Sequence, residues 1–260
     1  MRRAIIIAAI IIVCAVAAYI LWPRSNVPQH SYDWSRLEGT GTIRSYTDEN
    51  GNEALLGVDV SHHNQYVNWQ ALAEAGVDFA YIRCGWRGYT QGEIHIDPLA
   101  GLYYNGARAN GITVAIYFFS QAVTVEEATE EADFACDFAD SHKLSHAFPI
   151  AFDMEENGVS DERIGHLTTQ ERTDIAMAFC KRVEERGYTP IIYGNEKWLD
   201  GKYDLETICN AYDLWLAEYS AVPKPSHMFA MWQYCSDGQI EGNTKNIDMN
   251  LMFPKPVEKE

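Results

Sequence analysis

Basic residues are scarce in this chain. Of 260 residues only 20 are lysine or arginine, against 37 aspartates and glutamates, for a formal charge of −17. Arg2 and Arg3 sit at the extreme N-terminus, so from residue 23 onward 18 cations face all 37 acids. Such a surface repels phosphates and argues against a nucleic-acid partner. Cysteine is sparse too. Beyond Cys14, the five residues Cys84, Cys136, Cys180, Cys209 and Cys235 lie far apart, with no CxxC and no Cys/His metal spacing. Buried thiols are therefore the expectation, rather than a disulfide framework. The doublet His62-His63 invites a metal, but no other histidine lies in a strand-end motif, which leaves the pair as loop residues at a groove rim. No internal repeat or low-complexity segment is evident.

Long apolar runs are missing as well, with one exception. Ala4–Trp22 is unbroken, preceded by Arg2 and Arg3 and closed by Pro23-Arg24. Nineteen residues at helical rise reach roughly the thickness of a bilayer core, longer than the apolar part of a cleaved signal peptide. Residues 1–22 are thus expected to be a cytoplasmic stub and transmembrane helix. The arginines place the rest of the chain outside, on the extracytoplasmic face of the cell membrane. Residues 23–53 are polar, contain proline and glycine and lack a period, which suits a linker. Residues 54–260 are expected to form one catalytic unit, a monomer.

From Leu55 a rhythm sets in. "LLGVDVS", "FAYIRCG", "TVAIYFFS", "PIAFDMEE" and "PIIYGN" read as strands, separated by longer amphipathic stretches. "DLWLAEY", "MFAMWQYCS" and "NIDMNLMF" follow with little helix between them. Thr124-x-x-Glu127 and Thr168-x-x-Glu171 read as capping boxes, and Gly76, Gly111 and Gly187 as helix ends. About eight strands in roughly 200 residues predict an α/β fold, an irregular (β/α) TIM-like barrel with fewer helices in its last third.

Polar residues gather at the carboxyl ends of these strands: Asp59, Tyr117, Asp153, Glu155, Tyr193, Glu218, Tyr219, Gln233 and Asp248. In "PIAFDMEEN", Asp153 and Glu155 share one face of a strand, with Cα atoms roughly 6.6 Å apart. Met154 and Glu156 fall on the other face. Crowded carboxyls raise one another's pKa, so one keeps its proton near neutral pH while another ionises. Glycoside hydrolysis requires that combination. The alternatives are a Mg²⁺ or Ca²⁺ site or a structural acid cluster.

"GVDVSHHNQYVNW", "PIAFDMEE", "PIIYGN", "LWLAEY", "WQY" and "IDMN" resemble, in order and spacing, family 25 glycoside hydrolases, the lysozymes or muramidases that cut peptidoglycan between N-acetylmuramic acid and N-acetylglucosamine. The likeness runs from about Leu55 to Phe253. It implies Glu155 as general acid, Asp153 as the group stabilising charge on the sugar, and Asp59 and Asp248 as the remaining acids of the pocket. Tyr117, Tyr193, Trp215 and Gln233 match segments that line the groove in relatives, and Glu218 and Tyr219 join them as substrate contacts. No cofactor and no metal are expected, and the expected partner is peptidoglycan. Where many members carry Tyr-His-Phe on the third strand, this chain has Tyr117-Phe118-Phe119. Arg83 and Asp97 read as structural. The rival reading is a non-catalytic glycan-binding or scaffolding domain on the same barrel. A polysaccharide deacetylase is more distant, for want of a metal-binding histidine pair.

Overall fold

The computed structural model describes residues 26–158 and 162–255. After a short antiparallel pair, β1 (Leu37–Glu38) and β2 (Ser45–Tyr46), come β3 (Leu55–Val60), β4 (Phe79–Arg87), β5 (Ile94–Ile96), β6 (Thr113–Ser120) and β7 (Ile150–Met154). They are followed by β8 (Pro190–Asn195), β9 (Asp213–Ala217), β10 (Met231–Gly238) and β11 (Ile247–Met252). Hydrogen bonding in the order β3-β11-β10-β9-β8-β7-β6-β4, with β4 returning to β3, closes an eight-stranded barrel. The short β5 hangs on β4 as an antiparallel partner. Seven barrel strands are mutually parallel; β11 runs antiparallel to both its neighbours.

The helices among the described residues are α1 (Trp69–Glu74), α2 (Ala100–Ala109), α3 (Val125–His142), α4 (Thr169–Glu185), α5 (Glu196–Gly201) and α6 (Leu205–Ala211). Thr168 and Glu171 form the complete capping box at α4. At α3 only half of it forms: the Thr124 hydroxyl accepts from the Glu127 amide, while the Glu127 carboxylate caps Val123 instead. Gly76, Gly111 and Gly187 end α1, α2 and α4 in the left-handed region, where a side chain would be strained.

The expected fold, a helix-rich TIM-like barrel behind a transmembrane helix, is corrected. The structure is a β-barrel with few helices, since among the described residues only α3 and α4 exceed ten residues and none follows β9 or β10. Because β11 is antiparallel, β10 reaches it through a turn and needs no crossover helix. Among the described residues no helix is long and apolar enough to cross a membrane; the Ala4–Trp22 run itself lies outside them.

Residues 26–53, expected to be a linker, lie against the wall that helices leave bare. The Tyr32 ring stacks on Phe253 at 4.3 Å between centroids, and its hydroxyl donates to the Phe229 carbonyl at 2.5 Å. Trp34 meets Phe229, Trp232 and Phe253, and Tyr46 packs edge-on to Phe253 and is 4 % exposed. Backbone bonds from His30 to Ser226 and from Met228 to Pro28 complete the strap. Fully burying a ring is worth about 1.5–3 kcal/mol, and Tyr46 buried with Tyr32 and Trp34 half-buried gains enough to order this stretch without a regular period.

Alternation along the strands divides the apolar residues into two cores. Phe79, Tyr81, Ala115, Ala151, Ile191, Trp215 and Met231 fill the barrel interior. Their alternate neighbours, among them Val58, Ile82, Phe118, Phe152, Met154 and Ile192, pack outward against helices and strap. Gly57 is required inside, because a Cβ there would stand 2.1 Å from the Phe79 ring. The five cysteines beyond the first run are free thiols, as expected, and four of them are buried.

Candidate active site

Parallel strands bring their carboxyl ends to one mouth of the barrel, and the polar strand ends of the sequence meet there. They line a cavity of about 390 Å³ with Asp59, Arg83, Tyr117, Asp153, Glu155, Tyr193, Trp215, Tyr219, Gln233 and Asp248 around it. Period-two alternation accounts for most of this. On β7, Ala151 and Asp153 point in while Phe152 and Met154 point out, and Glu155 continues the inward face. Glu156 turns away and pairs with Lys202 Nζ at 2.7 Å.

Asp59 and Asp248 are directly opposed in the β3–β11 register. One layer deeper, Gln233 and Asn250 are cross-strand neighbours, and both donate to Asp59 Oδ2, at 2.7 and 2.8 Å. The Gln233 amide oxygen accepts from the Tyr193 and Tyr219 hydroxyls at 3.1 and 2.9 Å. Trp215 Nε1 donates to Asn250 Oδ1 at 2.9 Å, and its ring packs on Tyr81 and Tyr193. Trp215 is thus a floor residue, 2 % exposed, whereas Tyr219 stands at the rim with 58 % of its surface open.

The electrostatics are those of a carboxyl cluster taken out of water. Burial pushes Asp59 up to about 6, against the two amide bonds that favour its ionised form. Glu155 rises to about 7, through burial first and the Asp59 charge second. Asp248 rises to about 9 for the same reasons, with Glu155 adding to the repulsion. Burial also raises Asp153 well above the carboxylate range, helped by Glu155 and Asp59 and opposed by Arg83. Its Oδ1 is buried without a hydrogen-bond partner. Since the four charges face one another, they cannot all be ionised at neutral pH. With two amide donors, Asp59 ionises most readily. Among the described residues no cluster of three or more His, Cys, Asp or Glu side chains is arranged to hold a metal ion.

The backbone of Glu155 is itself held. Gln121, fully buried, donates through Nε2 to the Glu155 carbonyl at 3.0 Å. Arg163 Nη1 donates to the Gln121 carbonyl at 3.0 Å while its Nη2 pairs with Glu127 at 2.6 Å.

One expected contact is corrected. Glu218 does not line the cavity; Trp215, Ala217 and Tyr219 occupy the inward register, which leaves Glu218 facing out. There its carboxylate caps the Lys224 amide at 2.8 Å and lies 3.5 Å from Lys224 Nζ. Phe118, set against a histidine by the resemblance, is on the outer face against Phe134 and does not line the cavity. His63 stands at the rim as expected, whereas Arg83, read as structural, also lines the cavity, and Ser61, Tyr89, Phe119 and Asn157 were not singled out as site residues. Phe119 was open to the same alternation argument as Asp153; Tyr89 and Asn157 come from loops and carried no such signal.

The description of glycosyl hydrolases family 25 matches residues 58–243, which include the barrel strands from Val58 through β10 and Asp59 itself. The chain belongs to glycosyl hydrolase family 25. As a member of family 25 it is a glycoside hydrolase of the lysozyme type. Lysozyme M1 of Streptomyces globisporus is 26% identical over 204 residues, covering 75% of this chain and 67% of that protein. The spore cortex lytic enzyme SleM of Clostridium perfringens superposes with a TM-score of 0.64 at 22% identity, covering 76% of this chain and 67% of that one. The modular autolysin LytC of Streptococcus pneumoniae, solved with a synthetic peptidoglycan ligand, gives 0.67 at 18% identity, over 88% of this chain and 52% of the other. At such identities the two structures speak for the fold alone.

Proposed function

We propose that this family 25 enzyme is a muramidase that hydrolyses the β-1,4 bond between N-acetylmuramic acid and N-acetylglucosamine in peptidoglycan. Glu155 acts as general acid. Asp153 stabilises the positive charge that develops on the sugar. The observation that carries this reading is the convergence of Asp59, Asp153, Glu155 and Asp248 in one cavity, with Glu155 pushed up to about 7. A carboxyl with that pKa still holds its proton at neutral pH and can hand it to the leaving oxygen as the glycosidic bond breaks.

Asp153 then meets a positive centre that forms only in the transition state. That charge favours its ionised form at the moment of bond cleavage, so the attraction is realised there rather than in the ground state. Asp59, held by Gln233 and Asn250, keeps a fixed negative charge beneath the pair and sustains the proton on Glu155. Tyr219 at the rim offers an aromatic face to a sugar ring. A non-catalytic glycan-binding domain would have no need of a proton-holding carboxyl, and so many desolvated acids would only cost it stability.

Incubating purified protein with bacterial cell wall and identifying the new reducing ends tests the proposal. Reducing muramic acid supports it; products ending only in reducing N-acetylglucosamine, or no products, overturn it. In the cell, the apolar run Ala4–Trp22 would keep the enzyme at the membrane with its barrel outside, a reading that rests on the sequence. Protease added to intact cells should then release the barrel, and a mature N-terminus near residue 18 would contradict membrane retention.

A further inference from the structure

Arg44, a strap residue that lies before the family-matched region, reaches the loop that carries the cavity's rim residue Tyr219. Arg44 follows the turn between β1 and β2, a turn that Gly39 closes at φ 81, where a Cβ would stand 2.5 Å from the Ile43 carbonyl oxygen. Its guanidinium lies over the rings of Trp232 and Tyr234, at 5.3 and 4.9 Å from their centroids. From there Nη1 donates to the carbonyls of Ser220 and Ala221, at 2.9 and 3.2 Å. The arginine is itself held in place, since the Tyr234 hydroxyl donates to the Thr42 carbonyl at 2.7 Å and the Gln239 amide donates to the Thr42 hydroxyl.

Ser220 and Ala221 continue directly from Tyr219, whose hydroxyl binds the Gln233 amide that in turn donates to Asp59. We infer that Arg44 is a positioning residue for the cavity, fixing the loop that carries Tyr219 and thereby setting where the rim aromatic meets the glycan. The physical need is plain. The link from β9 to β10, residues 218–230, crosses between parallel strands without a helix, so its carbonyls lack the internal partners a helix would supply. A guanidinium can stack on the barrel wall while one of its nitrogens, Nη1, donates to two successive carbonyls, whereas a lysine ammonium offers no stacking plane. The enzyme therefore uses residues outside the family's matched region to order part of its own substrate site.

Arg44→Met keeps most of the apolar stem and removes every donor. Hydrogen exchange over residues 218–224 reads the loop without any substrate, and should accelerate roughly tenfold or more in this variant while the barrel strands stay protected. The second readout rests on the proposed muramidase activity: KM for soluble peptidoglycan fragments should rise about three- to tenfold with kcat nearly unchanged, the pattern of lost ground-state binding. If Arg44 acts through Tyr219, Tyr219→Ala alone should raise KM, and adding Arg44→Met should raise it no further. Arg44→Lys should fall between wild type and Arg44→Met in both measurements, and serves as the variant to read if Arg44→Met does not fold. Unchanged exchange in the 218–224 loop overturns the inference, as does a KM increase that persists in full in the Tyr219→Ala background. Wild-type protein that cuts no peptidoglycan would refute the muramidase reading instead, and the exchange experiment would still decide the role of Arg44.

Discussion

Replacing Glu155 with glutamine exchanges one oxygen for nitrogen and keeps the shape of the side chain. What it removes can be sized from the cavity. Glu155 sits at about 7, against an ordinary value of 4.5. At pH 7 about half of the enzyme therefore carries the proton, whereas an unshifted carboxyl would carry it in roughly one molecule in 300. Burial and the neighbouring Asp59 thus enlarge the competent population by about two orders of magnitude, worth about 3 kcal/mol. The glutamine cannot donate a labile proton at all, so Glu155→Gln should lose the whole general-acid contribution, about 10²–10⁴-fold in kcat, with KM changed only a few-fold. Reducing-end release, followed from pH 4 to 9, should show wild-type kcat falling about tenfold per unit above pH 7, an alkaline limb the variant lacks. Retention of both variant and wild type on insoluble peptidoglycan would show that binding survives. A loss below tenfold, or an alkaline limb that persists in Glu155→Gln, would refute the assignment of the proton to this residue.

Other consequences follow from the same geometry. Asp59→Asn removes the charge that helps hold the Glu155 proton, so the alkaline limb should move to lower pH; an unmoved limb would disconnect the two carboxyls. Asp59, Glu155 and Asp248 all hold protons more tightly folded than unfolded, so their contribution to stability is complete below about pH 4 and is lost as pH rises through about 6, 7 and 9. Asp248→Asn should accordingly raise the melting temperature at pH 9 and leave it unchanged at pH 4; equal gains at both would count against the linkage. Gln121→Leu leaves the Glu155 carbonyl without its donor, at a cost of about 1–3 kcal/mol in denaturant unfolding, and should lower kcat more than it raises KM. Tyr46→Ala, in the strap, should cost about 3–5 kcal/mol if the strap is part of the folded unit, whereas a mere linker would lose nothing.

Much of the site could be read from the sequence because it depends on alternation alone. Asp153 and Glu155 face inward with Met154 outward, as the period of a strand dictates, and Asp59, Tyr193, Gln233 and Asp248 arrive by the same rule. Glu218 was misplaced for lack of that rule: with Trp215 inward, position 218 must face out. The rest depends on contacts between distant parts of the chain. Tyr32, Trp34 and Tyr46 carry no helix or strand period, and their partners Phe229, Trp232 and Phe253 lie about two hundred residues away. Nothing local distinguishes such a strap from a flexible connection. The direction of β11 did not follow from its composition, since an antiparallel closing strand is as apolar as a parallel one.

That closing strand has a consequence for when the enzyme becomes active. The first barrel strand, β3, gains its second neighbour only from the last, and Asp59 finds its two amide partners 174 and 191 residues further along the chain. During synthesis the earlier strands can pair side by side as they emerge, yet the ring stays open and the acid cluster unbuilt until residues 247–252 are free to insert. The acid cluster is thus completed by the last strand of the barrel to be made. A chain interrupted between β7 and β11 would carry Asp153 and Glu155 and still lack the closed acid cluster.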